Sequence, residues 1–277
     1  MNKLLALLAL VAGANASAAR LPQVAPLPLD QCKSQALYGF PTTTKPNVTI
    51  VCRAGYVTAY DTVNKTPVWE AYVLTPEHAT GCSKRSNAFA HDDSVPQSGN
   101  PKDFAGVLIK RPDGTVYGID LGHGVNDFDQ RWSDLSEQQS FLMTNMWVQF
   151  AQFNRGVWKK LEDSTRGWAV TRGHPIQIYI SAQYGPTSQH IPAGEVVPEK
   201  FTKILIDTIT GETAIFDFEH KAWPKADLNQ FLAPIAQVQA EDQVTFPLPA
   251  NHSYVSQIWE RTMKNVNKLH AEVCPLQ

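Results

Sequence analysis

The chain has 277 residues, and its Lys and Arg so nearly balance its Asp and Glu that the formal net charge is only -2. That excludes the uniformly basic body of a stoichiometric nucleic-acid binder, but not an enzyme with a local positive groove that must release its product. Met1 to Ala18 carries Lys3, an apolar run from Leu4 to Ala12 and small residues around Ala16 and Ala18, the layout of a secretory signal peptide. The run is far shorter than the roughly 20 residues that span a bilayer, so it reads as a cleaved leader rather than an anchor. Its loss takes Lys3 with it and leaves a net charge of -3 on a secreted or periplasmic protein. Residues 19–277 have neither a linker-like composition shift nor a fixed-period repeat, so they read as one domain.

In chain order, a Pro-rich entry (Pro22, Pro26, Pro28) precedes an apolar, β-branched stretch from Thr49 to Thr58 that reads as one strand. A turn over Asp61 to Pro67 then leads to an antiparallel partner, Val68 to Leu74. A second β pair follows: Gly106 to Ile109, the turn Arg111-Pro112-Asp113-Gly114, and Thr115 to Asp120, which runs directly into Leu121-Gly122-His123. Ser133 and Asp134 can cap a short helix starting at Leu135. A longer helix is expected from Asn154 to Arg166, with Val157, Trp158 and Leu161 on its apolar side. Strands are expected at Ile176 to Ala182, Lys203 to Asp207 and, after a turn at Thr210-Gly211, Thr213 to Phe218; a final amphipathic helix is read from Ser253 to Glu272. The sum is an α+β fold, a central antiparallel sheet flanked by helices.

The exported part holds Cys32, Cys52, Cys82 and Cys274, an even count that favours disulfides in an oxidising compartment. Of the three pairings, Cys32 with Cys52 and Cys82 with Cys274 is favoured, because the first closes a short loop and the second fastens the C-terminal tail. No close CxxC suggests zinc. Between Asn154 and Arg172, Arg155, Lys159, Lys160, Arg166 and Arg172 outweigh Glu162 and Asp163, a pattern shared by a positive groove and a solvated helix face.

Four ordered blocks carry a more specific signal. They are Tyr56 to Thr75 with Thr66-Pro67-Val68-Trp69; Arg85 to Val95 with its arginine, Phe89 and the acidic pair Asp92-Asp93; Asp120-Leu121-Gly122-His123; and Asn145-Met146-Trp147-Val148-Gln149, followed by Phe153-Asn154-Arg155-Gly156-Val157-Trp158 and Leu161-Glu162-Asp163. From about Cys32 to Phe218 the chain resembles the DNA/RNA non-specific endonucleases, which cut phosphodiesters at a ββα-metal site. The resemblance implies that His123 is the general base, Asn154 the direct metal ligand, and Glu162 a group acting on the ion through water. It further implies that Arg85 contacts phosphate, that Asn145 orients the histidine or its neighbours, and that Arg166 is a second phosphate-side arginine. The implied substrates are DNA and RNA, the implied ion is Mg²⁺ with Mn²⁺ as its substitute, and the implied products carry 5′-phosphates. Activity should fall in acid as the imidazole is protonated.

On a straight helix, Asn154 and Glu162 lie about 12 Å apart along the axis, too far for two short side chains to share one inner shell. The chain departs from the family pattern where Leu121 replaces the signature arginine, Val148 replaces a proline, and Gly124-Val125-Asn126 lacks another. The first departure motivates a competing expectation, a catalytically impaired nucleic-acid-binding or envelope protein on the same scaffold. Oligomeric state and any protein inhibitor leave no mark in the sequence.

Overall fold

A computed structural model describes residues 25–259 and 264–274. The leader reading at residues 1–18 and Pro22 lie outside the described residues, as does a short piece of the expected C-terminal helix. In chain order the first strands are β1 (Thr42–Thr43), β2 (Val48–Cys52), β3 (Val57–Asp61), β4 (Thr66–Leu74), β5 (Leu108–Lys110) and β6 (Val116–His123). Next come α1 (Asp134–Gln139), β7 (Met146–Phe150), α2 (Ala151–Phe153) and α3 (Lys159–Arg172). The remainder comprises β8 (Ile176–Gln183), β9 (Lys200–Asp207), β10 (Glu212–Glu219), α4 (Ile235–Asp242), β11 (Val244–Thr245), β12 (Ser253–Tyr254) and α5 (Val266–Val273).

A seven-stranded sheet in the order β12-β10-β9-β8-β4-β3-β2 forms the body, antiparallel except where β12 joins β10 in parallel. Its central strands are buried on both faces, because successive side chains point to opposite sides and each side is covered. Ile176, Ile178 and Ile180 of β8 enter one core, with Trp147, Phe150, Trp158, Leu161 and Trp168. Tyr179 of the same strand enters the other core, with Trp69, Ile204, Ile206 and Val238. On the first face lies the three-stranded sheet β5-β6-β7, whose last strand feeds α2 and α3. That ββα unit carries the candidate site.

Both favoured disulfides are present: Cys32 with Cys52 and Cys82 with Cys274, with Cα separations of 5.7 and 5.6 Å. Ser133 caps α1 by accepting the Ser136 N–H, as its position before an acidic first turn suggests.

Three element readings need correction. The run Thr49 to Thr58 is two strands rather than one, since Arg53 to Tyr56 turn back and close with a 2.8 Å bond from the Arg53 N–H to the Tyr56 carbonyl. Composition concealed that turn, for its flanks are continuously apolar. The helix read from Ser253 to Glu272 is instead the short strand β12 and, after an intervening stretch, the helix α5. Ser253 and Tyr254 take up backbone pairing beside Glu212 and Thr213, a tertiary partner that helical periodicity cannot reveal. The helix read from Asn154 to Arg166 begins with a π-helical turn, Asn154–Trp158, before α3 runs on to Arg172.

Candidate active site

His123 is the last residue of β6, opposite Met146 at the start of β7. Two glycines flank it because there is no space for a side chain at either position. A Cβ on Gly122 would lie 2.3 Å from the Gln149 amide carbon, and one on Gly124 would lie 1.8 Å from Glu70 Oε2 and 1.9 Å from the Trp147 ring. The following loop is clamped by Asn145, wholly buried. Its Oδ1 accepts the Val125 N–H at 2.8 Å, while its Nδ2 donates to the carbonyls of Val125 at 2.9 Å and Ser140 at 2.6 Å. Asn145 therefore holds the backbone just beyond His123 and is not among the residues lining the cleft.

The His123 ring packs edge-on to Phe141 at 4.8 Å and tilted against Phe89 at 5.4 Å. Burial pulls its pKa down from 6.5 to about 4, with Asp127 pushing it up and Arg85 pushing it further down. The imidazole is thus neutral at physiological pH. Its buried Nε2 has no hydrogen-bond partner among the described residues, an expensive arrangement in a native core unless something else fills the role.

Facing the histidine, the π-helical turn is broken at Gly156, whose φ of -102° and ψ of -108° are not helical. Single π-helical turns cluster at functional sites because they re-aim side chains that a regular helix would spread apart. Asn154 and Glu162 both line one cleft with His123. Asn154 donates its amide N–H to Asp120 Oδ2 at 3.0 Å, which leaves the carbonyl oxygen as the atom able to bind a cation. Asp120 also takes a bidentate grip from Arg155 at 2.9 and 2.6 Å.

Glu162 is buried beneath the cleft, 3.9 Å from the Lys203 ammonium, which itself lies 4.3 Å over the Trp158 ring. Burial raises the Glu162 pKa to about 7, opposed by Lys203 and Arg166. Burial likewise lowers that of Lys203, opposed by Glu162. A carboxylate left so costly to ionise gains from any cation delivered to the cleft.

The cleft, about 290 Å³ in volume, also presents Arg85, Arg131, Arg155, Lys159 and Arg166, against Asp127, Glu162 and Asp163. Arg85 pairs with Asp127 and donates to Asn87 at 2.7 Å, with its side chain partly exposed. Arg166 is held by Asp129 at 2.8 Å and by Asp163 at 2.5 Å. Burial works against its charge, but Asp129, Glu162 and Asp163 together raise its pKa. Sequence reasoning missed Asp120 as the orienter of Asn154, and Asp127 and Asp129 as the anchors of the arginines. The only available signal was the cluster Asn126-Asp127-Phe128-Asp129 directly after the histidine block. Leu121, in the place of the signature arginine, packs against the core.

These donors suit one kind of ion. Among the described residues, no three His, Cys, Asp or Glu side chains group to hold a metal, which argues against a closed zinc or multi-carboxylate site. One amide oxygen and one nearby carboxylate in a wet, phosphate-sized cleft fit a hard cation that keeps most of its own water.

A family model described as DNA/RNA non-specific endonuclease matches residues 33–251. Mitochondrial endonuclease G of Bos taurus is 26% identical over 249 residues, covering 83% of this chain and 79% of its own. The nuclease of Serratia marcescens is 25% identical over 256 residues, covering 86% of each. A crystal structure of an EndoG/EndoGI complex superposes with a TM-score of 0.69 at 20% identity, over 82% of this chain and 96% of that one, a likeness of fold.

Proposed function

Because the chain belongs to the DNA/RNA non-specific endonuclease family and is a hydrolase of that class, we propose that its cleft cuts phosphodiester bonds in both DNA and RNA, with His123 as general base. The observation that carries this reading is the neutral His123, in one cleft with an oriented Asn154 amide and four arginines. His123 takes a proton from the attacking water through the edge of its ring that lines the cleft, and the apolar walls of Phe89 and Phe141 keep the ring unprotonated until then. Asp127, which favours the charged ring, steadies the imidazolium that results. Arg85 and Arg166 face the phosphate as its charge grows. Asn154 would hold Mg²⁺ directly and Glu162 through the ion's water, with Mn²⁺ as a substitute, and the ion would supply positive charge at the phosphate and the leaving oxygen. Asp120 keeps the Asn154 amide turned for that task.

Little sequence preference follows if the contacts are to phosphate alone, since the backbone carries no base identity. Residues 19–277 act as a single catalytic domain after removal of a leader at 1–18, in a secreted or periplasmic setting where the two disulfides persist. Purified protein incubated with supercoiled plasmid and with RNA should nick the one and shorten the other in Mg²⁺, and do neither after chelation. Retention of both polymers without cleavage would instead establish the impaired binding protein that Leu121 brings to mind.

A further inference from the structure

Next to the catalytic cleft, with which it shares Arg155, lies a larger cavity of about 670 Å³. It is bounded by the π-helical turn and the start of α3 on one side, and on the other by the loop that follows β10. Its floor is carbon surface from Trp223, Val157, Ala222 and Ala226. The Trp223 indole N–H is already used, donating to the Glu219 carbonyl at 2.9 Å, so the ring offers the cavity no polar atom of its own. The rim carries Arg155, Lys160 and Lys225, and the residues lining the cavity include no carboxylate. With Arg155 paired to Asp120, Lys160 and Lys225 still leave, in a chain of formal net charge -2, a local excess of cations beside an aromatic ring. Arg155 lines both this cavity and the catalytic cleft, so the two adjoin at that residue.

We propose that this cavity is a nucleotide subsite, taking an unstacked base of a single-stranded stretch of the substrate whose neighbouring phosphate lies at His123. The inference rests on the nuclease reading and adds to it a preference for strands that can splay a base. An aromatic wall with a cationic rim is the combination that binds single strands without reading sequence. Every base presents a π-face, and every nucleotide brings a phosphate. The volume lies within the roughly 300–1,000 Å³ of sites that enclose small organic groups. A continuous duplex keeps its bases paired and stacked, so it reaches the rim but not the floor. Lys160 is tied to the Ala226 carbonyl, an uncharged partner, and so presents its charge in a fixed position, whereas Arg155 is already paired with Asp120.

The test measures binding of a labelled twelve-residue oligothymidylate, and of a twelve-base-pair duplex, to the His123→Ala protein in Mg²⁺. In that background Trp223→Ala should weaken single-strand binding about tenfold and duplex binding by less than about threefold. Trp223→Phe should restore most of the single-strand affinity. Because Trp223 also packs edge-on to Phe231 at 4.9 Å, truncation can disturb the loop, so Lys225→Gln on the exposed rim is the second variant. It should lower the slope of log affinity against log salt by about 0.7 for the single strand. Single-strand affinity within twofold of the parent in Trp223→Ala, with an unchanged salt slope in Lys225→Gln, would overturn the subsite. Cleavage of the same strand by the unsubstituted protein is scored separately. Tight, Trp223-dependent binding without cleavage would sink the nuclease reading and leave the subsite standing.

Discussion

The two walls of the catalytic cleft are built in opposite ways. The wall bearing His123, Asn154 and Glu162 is part of the main core: Met146, Trp147, Phe150, Trp158 and Leu161 are all at most 1% exposed. The other wall includes α5, which contributes Asn267 to the cleft, yet within that helix only Val266 is buried. What fastens α5 is the Cys82–Cys274 disulfide, spanning 192 residues, aided by a ring contact of 5.0 Å between Phe128 and His270. Groups that must keep fixed geometry sit on the wall held by dense packing. The wall formed by α5 is held by one covalent tie and few apolar contacts, the condition for opening at low cost.

That contrast can be broken from either side. Short of removing the base, the largest expected loss comes from Asn154→Ala. Cleavage should fall by roughly 10²-fold or more at fixed Mg²⁺ and recover in part as Mg²⁺ is raised, which a metal titration of kcat/KM reads. Next is Gly124→Ala, which drives a methyl into Glu70 and Trp147. It should cost about 1–3 kcal/mol in denaturant unfolding and lower activity in step, because the strand carrying His123 must shift.

The opposite wall should respond differently. Replacing Cys82 and Cys274 together by Ser should lower stability by about 2–4 kcal/mol while kcat changes only a few-fold, as urea melts and rates on one preparation would show. A collapse in kcat comparable to that of Asn154→Ala would mean that α5 is catalytic rather than enclosing.

The smallest effect is a shift in the pH profile. The folded pKa of His123 lies below 6.5, so the neutral base persists as the medium is acidified, and at saturating Mg²⁺, which holds Glu162 ionised, activity falls only as pH drops through about 4. The acid limb of kcat/KM reports the free enzyme and should therefore sit well below the usual histidine range. A limb near 6.5 would show that the ring is wetter than its aromatic enclosure implies.

The same contrast explains what could be read from the sequence. The rigid wall was legible, because a strand ending in Gly-His and the block from Phe153 to Asp163 carry pattern along the chain. Its details were not. Helical periodicity does not show the π-helical turn and the break at Gly156 that open the segment bearing Asn154. Asp127 and Asp129 act through partners 42 and 37 residues away, and a lone carboxylate in a loop has no period to detect, while Asp120 stands in the histidine block but its partner Asn154 lies 34 residues on. The softer wall was read as one long helix because α5 is amphipathic, whereas Ser253 and Tyr254 are claimed by the edge of the main sheet.

The central claim is that a neutral His123, fixed by the core, activates the water. The most direct measurement is the rate of plasmid nicking by His123→Ala in Mg²⁺, taken on protein whose cooperative melt shows it to be folded. The account predicts a loss of at least about 10³-fold, consistent with removal of a general base. Nicking within tenfold of the unsubstituted protein would contradict it.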